Sequence, residues 1–357
     1  MEHIADSIGR GERLSAADAA LLWREAPLWL LGRLALAAKR RASGDNVFYN
    51  RNFHIEPTNI CLFNCRFCSY RRPKGSPEAW DLSLDEIERI ARSRAGSRAT
   101  EVHIVGGVHP DRDLAYYAEM IRRVKAALPS ATVKAFTAVE LFYLFGKAGL
   151  NVTQGLKILI EAGMGAIPGG GAEIFDPELR RRICPEKCTA EEWLSVHDAA
   201  HRLGLGTNAT ILYGHIETIE QRIDHLLRLR RQQDLTGGFN AFVPLKYRRA
   251  NNPLGEGVEE VSVIDDLRML AMSRLILDNI PHIKAYWVMY GKQTAELALA
   301  FGADDVDGTI DDSTKIYSMA GAEEQRPSIT VAEIERMASN AGLHAVERDT
   351  NYNIIRN

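Results

Sequence analysis

The spacing of apolar positions changes along the chain, and each change marks an element. Between residues 14 and 42, Leu21, Leu22 and Trp23, then Leu28, Leu30, Leu31, Leu34 and Leu36, recur at helical spacing and predict two helices, with Ser15 placed to cap the first. Their broad apolar faces must be covered, which predicts a helical lid or plug on the bottom or side of the body that follows. From residue 51 short strand-like runs alternate with helical ones. Eight runs are strand-like, at 51–57, 99–107, 131–138, 162–169, 205–213, 237–245, 282–290 and 302–310. Helical stretches between them include Ser83 to Arg94, Leu114 to Leu128, Thr189 to Leu203, Ile219 to Gln232 and Val263 to Asn279. This alternation predicts an α/β fold, a (β/α)8 TIM-type barrel over 49–310. A helical extension over 1–48 precedes it, and an extension over 311–357, with a helix from Thr330 to Ala341, packs on the barrel. No stretch is rich enough in Gly, Ser or Pro to demand a separate domain, and no repeat stands out.

Composition narrows the field of partners. A chain of 357 residues, 46% hydrophobic and 25% charged, is an ordinary globular protein with room for a large core. Its formal net charge of -3 offers no global basic field, so no nucleic-acid partner is expected. The start, Met1-Glu-His-Ile-Ala-Asp6, lacks the basic and then apolar regions of a secretory signal. The most apolar run, Ala26 to Ala38, is interrupted by Arg33 and is too short to span a bilayer, so no membrane association is expected either. Of five cysteines three share one loop, which is no disulfide framework. The oxygen-sensitive cluster considered next needs a reducing compartment, so a cytoplasmic location is expected.

That loop, Cys61-Leu-Phe-Asn-Cys65-Arg-Phe-Cys68, carries the distinctive chemistry. Cysteines at C-x3-C-x2-C spacing can hold three irons of a cubane cluster and leave one open to chelate the amino and carboxylate groups of S-adenosylmethionine. Structural zinc needs a fourth ligand, and a ferredoxin supplies a fourth cysteine. In a barrel the site lies where strands end and loops begin. On that rim fall Gly106-Gly107-Val108-His109-Pro110, Thr137 with Glu140, and Pro168-Gly-Gly-Gly171-Ala172-Glu173. Missing side chains at Gly106 and Gly107 let backbone approach a ligand. The triple glycine lacks the Lys-Ser/Thr end of a phosphate loop. His54 and Glu56 alternate on the first strand and point to one side, either at a substrate in the barrel mouth or at each other as a structural pair. His109 stands between orienting a substrate and an ordinary loop role. Among Arg180, Arg181 and Arg182, Arg182 is the candidate for bidentate contact with a carboxylate. Cys184 and Cys188 lack a third ligand and read as ordinary thiols. Asn208 and Thr210, with Lys246, Tyr247 and Arg248, bring amide, hydroxyl and cationic groups to the same rim and suggest an anionic, oxygen-rich substrate.

Taken with Phe67 before the third cysteine, the loop resembles the signature of the radical S-adenosylmethionine superfamily, C-x3-C-x-aromatic-C after the first barrel strand. His54-Ile-Glu-Pro-Thr-Asn-Ile-Cys61, Cys68-Ser-Tyr70, Ile104-Val-Gly-Gly-Val-His-Pro110, Pro168-Gly-Gly-Gly-Ala-Glu-Ile174, Cys184-Pro-Glu-Lys187 and Phe242-Val-Pro-Leu-Lys-Tyr247, followed by Asn251-Asn252, extend the likeness over nearly the whole chain from about residue 15. Within the superfamily they resemble the aminofutalosine synthase family of the futalosine route to menaquinone. Close relatives are the dehypoxanthine futalosine cyclase and the radical enzymes of the deazaflavin cofactor pathway.

The resemblance implies a [4Fe-4S] cluster on Cys61, Cys65 and Cys68, and S-adenosylmethionine consumed as a co-substrate. Phe67, Gly106, Gly107, Thr137, Glu173 and Arg182 are the candidate cofactor residues, the glycine backbone receiving the methionine amino group and Glu173 the ribose or methionine. Tyr70, Asn208, Lys246 and Arg248 are candidate substrate contacts, and His54, Glu56 and His109 candidate catalytic groups. The implied reaction adds the deoxyadenosyl radical to the enol ether of 3-[(1-carboxyvinyl)oxy]benzoate, then rearranges and decarboxylates to 6-amino-6-deoxyfutalosine. It implies an external electron donor of the flavodoxin or ferredoxin type. Two other classes stay open: a hydrogen-abstracting radical enzyme, which would release 5'-deoxyadenosine, and a non-catalytic iron-sulfur protein, against which the missing fourth cysteine speaks.

Overall fold

The computed structural model describes residues 1–310, 315–322, 324 and 327–356. It begins with α1 (Glu2–Gly9), α2 (Ala16–Glu25) and α3 (Leu28–Ser43), followed by β1 (Asn46–Asn50) and β2 (Asn52–Ile55). The alternation then runs α4 (Leu84–Ser93), β3 (Glu101–Ile104), α5 (Leu114–Ala127), β4 (Thr132–Ala135), α6 (Ala138–Lys147), α7 (Val152–Glu161), β5 (Met164–Ile167), α8 (Pro177–Ile183), α9 (Ala190–Arg202) and β6 (Gly206–Tyr213). It continues with α10 (Ile219–Thr236), β7 (Phe239–Lys246), α11 (Val263–Ile276), β8 (His282–Ile283), α12 (Trp287–Tyr290), α13 (Lys292–Ala298), β9 (Asp305–Gly308), α14 (Ile316–Met319), α15 (Val331–Asn340) and β10 (His344–Glu347).

Strands β2 to β8 form one curled parallel sheet in sequence order, the TIM-type α/β architecture predicted. Closure is shared with a second parallel sheet, β10-β1-β9. The eighth predicted strand is β9. It meets β8 at the Lys284–Asp305 bridge and meets β1 on its other side, so β1 and β2, which flank Arg51, serve different neighbours. The second sheet therefore draws on all three predicted segments of the chain. The predicted strand 282–290 is shortened to His282–Ile283. Its aromatic residues Trp287 and Tyr290 belong to the helical turn α12, where the Trp287 indole donates to the Gly308 carbonyl at 2.9 Å.

Helices cover the outer face of the sheet because the outward residues of each strand are apolar. In β3, Val102 and Ile104 are fully buried toward them. Ser15 caps α2 by accepting the Asp18 N–H at 3.1 Å, as its place before the apolar run predicts. The N-terminal helices lie on the side of the barrel: α3 packs on α11 and α2 on α10. Arg268 donates to the carbonyls of Trp23 and Ala26, and Arg13 bridges to Asp234. Helix α1 was not marked by the sequence pattern; Ile4 and Ile8 bury its one apolar stripe. Among the described residues no helix is long and apolar enough to cross a membrane.

The inward face is polar. The register pairs His54 with His103 and His103 with Lys134, so three neighbouring strands present these side chains to the barrel axis.

Candidate active site in the barrel mouth

The loop after β2 is held in place by backbone hydrogen bonds before any side chain acts. Gly107 donates to the Thr58 carbonyl at 2.7 Å, and Leu62 donates to the Val108 carbonyl at 2.8 Å. A side chain on Gly107 would meet the Ile60 carbonyl oxygen at 2.2 Å, and one on Gly106 the Thr58 oxygen at 2.8 Å. The glycine pair is therefore required by the cysteine loop lying across it. Val108 donates its N–H to the Cys61 sulfur at 3.3 Å. Cys65 is buried, Cys61 and Cys68 are half-buried, and none is in a disulfide. Burial pushes the Cys65 and Cys61 thiols up, while the Lys187 ammonium opposes this at both.

Cys68 opens on the main cavity, of about 280 Å³. Tyr70, Gly106, Thr137, Gly169, Gly170, Gly171, Glu173, Lys187 and Asn208 line its upper part, Tyr286 and Tyr317 its roof, and His54, His103, Glu101, Lys134 and Asp307 its floor. The roof tyrosines meet edge to face at 5.2 Å. The glycine loop after β5 is shaped by groups around it: Thr210 donates to Gly169 O at 2.6 Å and Trp193 to Gly170 O at 3.1 Å. Arg180, buried, donates to the carbonyls of Gly171, Ala172 and Cys188. Glu173 adopts a left-handed backbone with φ 50°, held by Leu212 N–H at its carbonyl and Lys187 Nζ at its carboxylate. Such strain persists only where surrounding contacts impose it.

The floor is a balanced ionic layer. Lys134 pairs with Glu101 at 2.6 Å and Lys284 with Asp307 at 2.6 Å. Burial alone would raise the carboxyls of Glu101 and Asp307, but the lysines outweigh it and hold both below the usual range. The two histidines stack edge to face at 4.7 Å. Burial, with the neighbouring imidazole and lysine, pushes His103 down to about 3, and burial lowers His54 too, so both are neutral.

Other candidates sit at varying distances from this chamber. Phe67, Lys246 and Arg248 line a smaller adjoining cavity of about 150 Å³, which shares Cys68, Tyr70 and Glu173 with the main one. Lys246 is committed to Asp266 at 2.8 Å and Arg248 donates to Gly321 O. Tyr70 donates to Thr58 O and stands edge-on to Trp80. Glu56 does not line the cavity; its carboxylate accepts the Lys315 N–H at 3.0 Å and anchors the start of α14. His109 is buried beside Asp81 and Asp111, also off the cavity. Arg182 is exposed on α8 while Arg180 turns inward. Thr137 caps α6 in a reciprocal box with Glu140, whose carboxyl burial pushes up to about 7. The sequence reading passed over His103, Glu101, Lys134 and Lys187. The first three share strand parity with inward-facing neighbours, and the last ends a quoted Cys-Pro-Glu-Lys motif.

The donor types suit an iron-sulfur cluster, while among the described residues no three His, Cys, Asp or Glu side chains converge on a single-ion site. Three thiols lie on one loop, one sulfur already accepts an amide, and a buried cation stands by to balance thiolate charge. Cys61, Cys65 and Cys68 would hold the cluster, and Gly106 and Glu173 line the cavity beside Cys68, whereas Gly107 does not.

The sequence pattern of the Radical SAM superfamily matches residues 55–229, and that of the CofH/MqnC C-terminal region matches 236–357. The chain is 42% identical to the aminodeoxyfutalosine synthase of Thermus thermophilus, covering 99% of this chain and 95% of that protein. It is 39% identical to the Streptomyces coelicolor protein of the same name, covering 99% and 93%. It is also 36% identical, over 99% of this chain and 92% of the other, to the 5-amino-6-(D-ribitylamino)uracil–L-tyrosine 4-hydroxyphenyl transferase 2 of Methanosarcina mazei. Among solved structures, methylornithine synthase (PylB) superposes with a TM-score of 0.76 over 96% of this chain and 97% of that one at 19% identity, a likeness of fold. That family implies a [4Fe-4S] cluster and S-adenosylmethionine. By its cysteine loop, its barrel and its full-length relatives, the chain belongs to the radical SAM superfamily, in the branch that contains the aminodeoxyfutalosine synthases.

Proposed function

We propose that this enzyme joins the 5'-deoxyadenosyl group of S-adenosylmethionine to 3-[(1-carboxyvinyl)oxy]benzoate, with rearrangement and loss of carbon dioxide, to give 6-amino-6-deoxyfutalosine. The observation that carries the reading is the opening of the Cys68 end of the cysteine loop into a polar-floored barrel cavity, in a chain about 40% identical to aminodeoxyfutalosine synthases along its length. When bound, the cluster and the adenosylmethionine, here a consumed co-substrate, supply a deoxyadenosyl radical, with the electron coming from a flavodoxin or ferredoxin type donor.

The protein's own part is positioning and exclusion. Gly106 and the glycine loop bring backbone against the cofactor space. Tyr286 and Tyr317 roof the chamber, keeping solvent and stray hydrogen donors from the alkene. Asn208, His54 and His103 offer neutral polar groups to the substrate, and Lys134, paired with Glu101, lines the floor of the same cavity.

The test is mass spectrometry of an anaerobic reaction of reconstituted protein with dithionite, S-adenosylmethionine and the carboxyvinyloxybenzoate. Adenosyl mass joined to the aryl substrate, less carbon dioxide, is the expected product. Free 5'-deoxyadenosine with the aryl substrate untouched would overturn the addition and favour a hydrogen-abstracting relative.

A further inference from the structure

Lys187 follows α8 in a segment strapped to the back of the cysteine loop. Arg66 donates its N–H to the Ile183 carbonyl at 2.8 Å, and Asn64 donates to the Glu186 carboxylate at 3.4 Å. The strap thus sits against both sides of Cys65. Lys187 Nζ lies 2.5 Å from Glu173 Oε1 and 5.1 Å from the centroid of the Phe67 ring, the residue preceding Cys68. Its side chain is only 13% exposed.

We propose that Lys187, clamped by Glu173, is a positioning residue whose fixed positive charge sets the reduction potential of the cluster held by the Cys65 loop. The inference rests on the reading of that loop as the cluster site.

The physical basis is charge in a dry place. A cluster that accepts an electron gains a negative charge, and a cation fixed nearby in a low-dielectric surround favours the reduced form. Glu173 opposes it, so the orientation of the pair decides the sign. The ammonium lies 5.1 Å from the centroid of Phe67, the residue before Cys68, so it is the positive end of the pair that meets the cysteine loop. Phe67 contributes by facing the ammonium with its ring, a contact that a mobile lysine would not keep. Glu173 has little freedom to turn away, because its own backbone is pinned in a left-handed conformation.

The experiment is a potentiometric titration of the reconstituted holoprotein without S-adenosylmethionine, followed by electron paramagnetic resonance, with iron and sulfide counted for every variant. Lys187→Met should lower the midpoint so that the reduced-to-oxidised ratio at the wild-type midpoint falls at least tenfold, 59 mV for a one-electron couple. Glu173→Gln, which leaves the cation in place, should raise it, and Lys187→Arg should stay within threefold of wild type. If Lys187→Met does not load a cluster, the sign of the Glu173→Gln shift decides. A midpoint unmoved or shifted the opposite way in fully loaded variants overturns the proposal. So does a shift that appears only with S-adenosylmethionine, which would make Lys187 a ligand of the cofactor. Failure of the cluster reading itself shows elsewhere, as a full iron count in Cys65→Ala.

Discussion

Gly107 leaves no room for even a methyl group, because the Ile60 carbonyl oxygen stands 2.2 Å from where one would sit. Gly107→Ala should therefore displace the cysteine loop and leave the outer helices intact. Iron per chain after reconstitution should fall severalfold with the circular dichroism spectrum unchanged; a full complement of iron would show that the loop accommodates the change. Glu140 offers a second test at this scale. Its folded pKa, about 7, lies above the unfolded carboxyl value, so the stability it contributes is whole below pH ~4.5 and is lost as pH climbs through about 7. Glu140→Gln does not titrate. Its stability relative to wild type should rise by about 3 kcal/mol between pH 5 and 8 in urea unfolding, and a pH-independent difference would refute the assignment. The cysteine loop stood out in the sequence because its spacing has few other uses. The floor was not, since His103 sits in Val102-His-Ile-Val105, which reads as one apolar strand when only its outer face is considered. Nor can three consecutive arginines declare which turns inward; the short helix α8 buries Arg180 and exposes Arg181 and Arg182.

At the scale of elements, capping chemistry explains why so many helices start where they do. Ser83 with Glu86, Thr137 with Glu140, Asn151 with Gln154, Thr189 with Glu192, Thr218 with Gln221, Ser262 with Asp265 and Thr330 with Glu333 each form a reciprocal box. These pairs are written in the sequence at fixed spacing, and α4, α9, α10, α11 and α15, which begin with them, were bounded from the sequence, whereas α6 and α7 were not. Thr189→Ala should cost about 1 kcal/mol in denaturant unfolding and leave the cavity unaltered; no loss of stability would show that α9 is held by packing alone. The turn α12 was misread for the opposite reason. Tyr286-Trp287-Val288-Met289-Tyr290 has the composition of a strand, and tertiary contacts, the Trp287 indole on the Gly308 carbonyl and the Tyr290 hydroxyl on the Pro244 carbonyl, hold it in a helical turn.

For the molecule as a whole, the parallel βα alternation was legible in sequence and the manner of closure was not, because the pairing partners are far apart in the chain. Arg348, fully buried, donates to Asp305 at 2.7 Å, and Thr350 donates to Glu101 at 2.9 Å. The segment after β10 thereby ties itself to β9 and to the ionic floor. Arg348→Met would strand a buried carboxylate and should cost about 3 to 5 kcal/mol in chemical unfolding; a loss under 1 kcal/mol would show that Asp305 finds another partner, such as Lys284.

Strand β1 lies between β9 and β10, and Tyr49 faces Glu347 across 298 residues of chain. During synthesis β1 leaves the ribosome long before either neighbour exists, so both of its edges stay bare until β9 at Asp305–Gly308 is translated, and one stays bare until β10 at His344–Glu347. Closure of the barrel is thus a late, long-range and slow event. The cysteine loop, only a dozen residues beyond β1, would take a cluster only after release, or be kept from oxygen and from other chains until then.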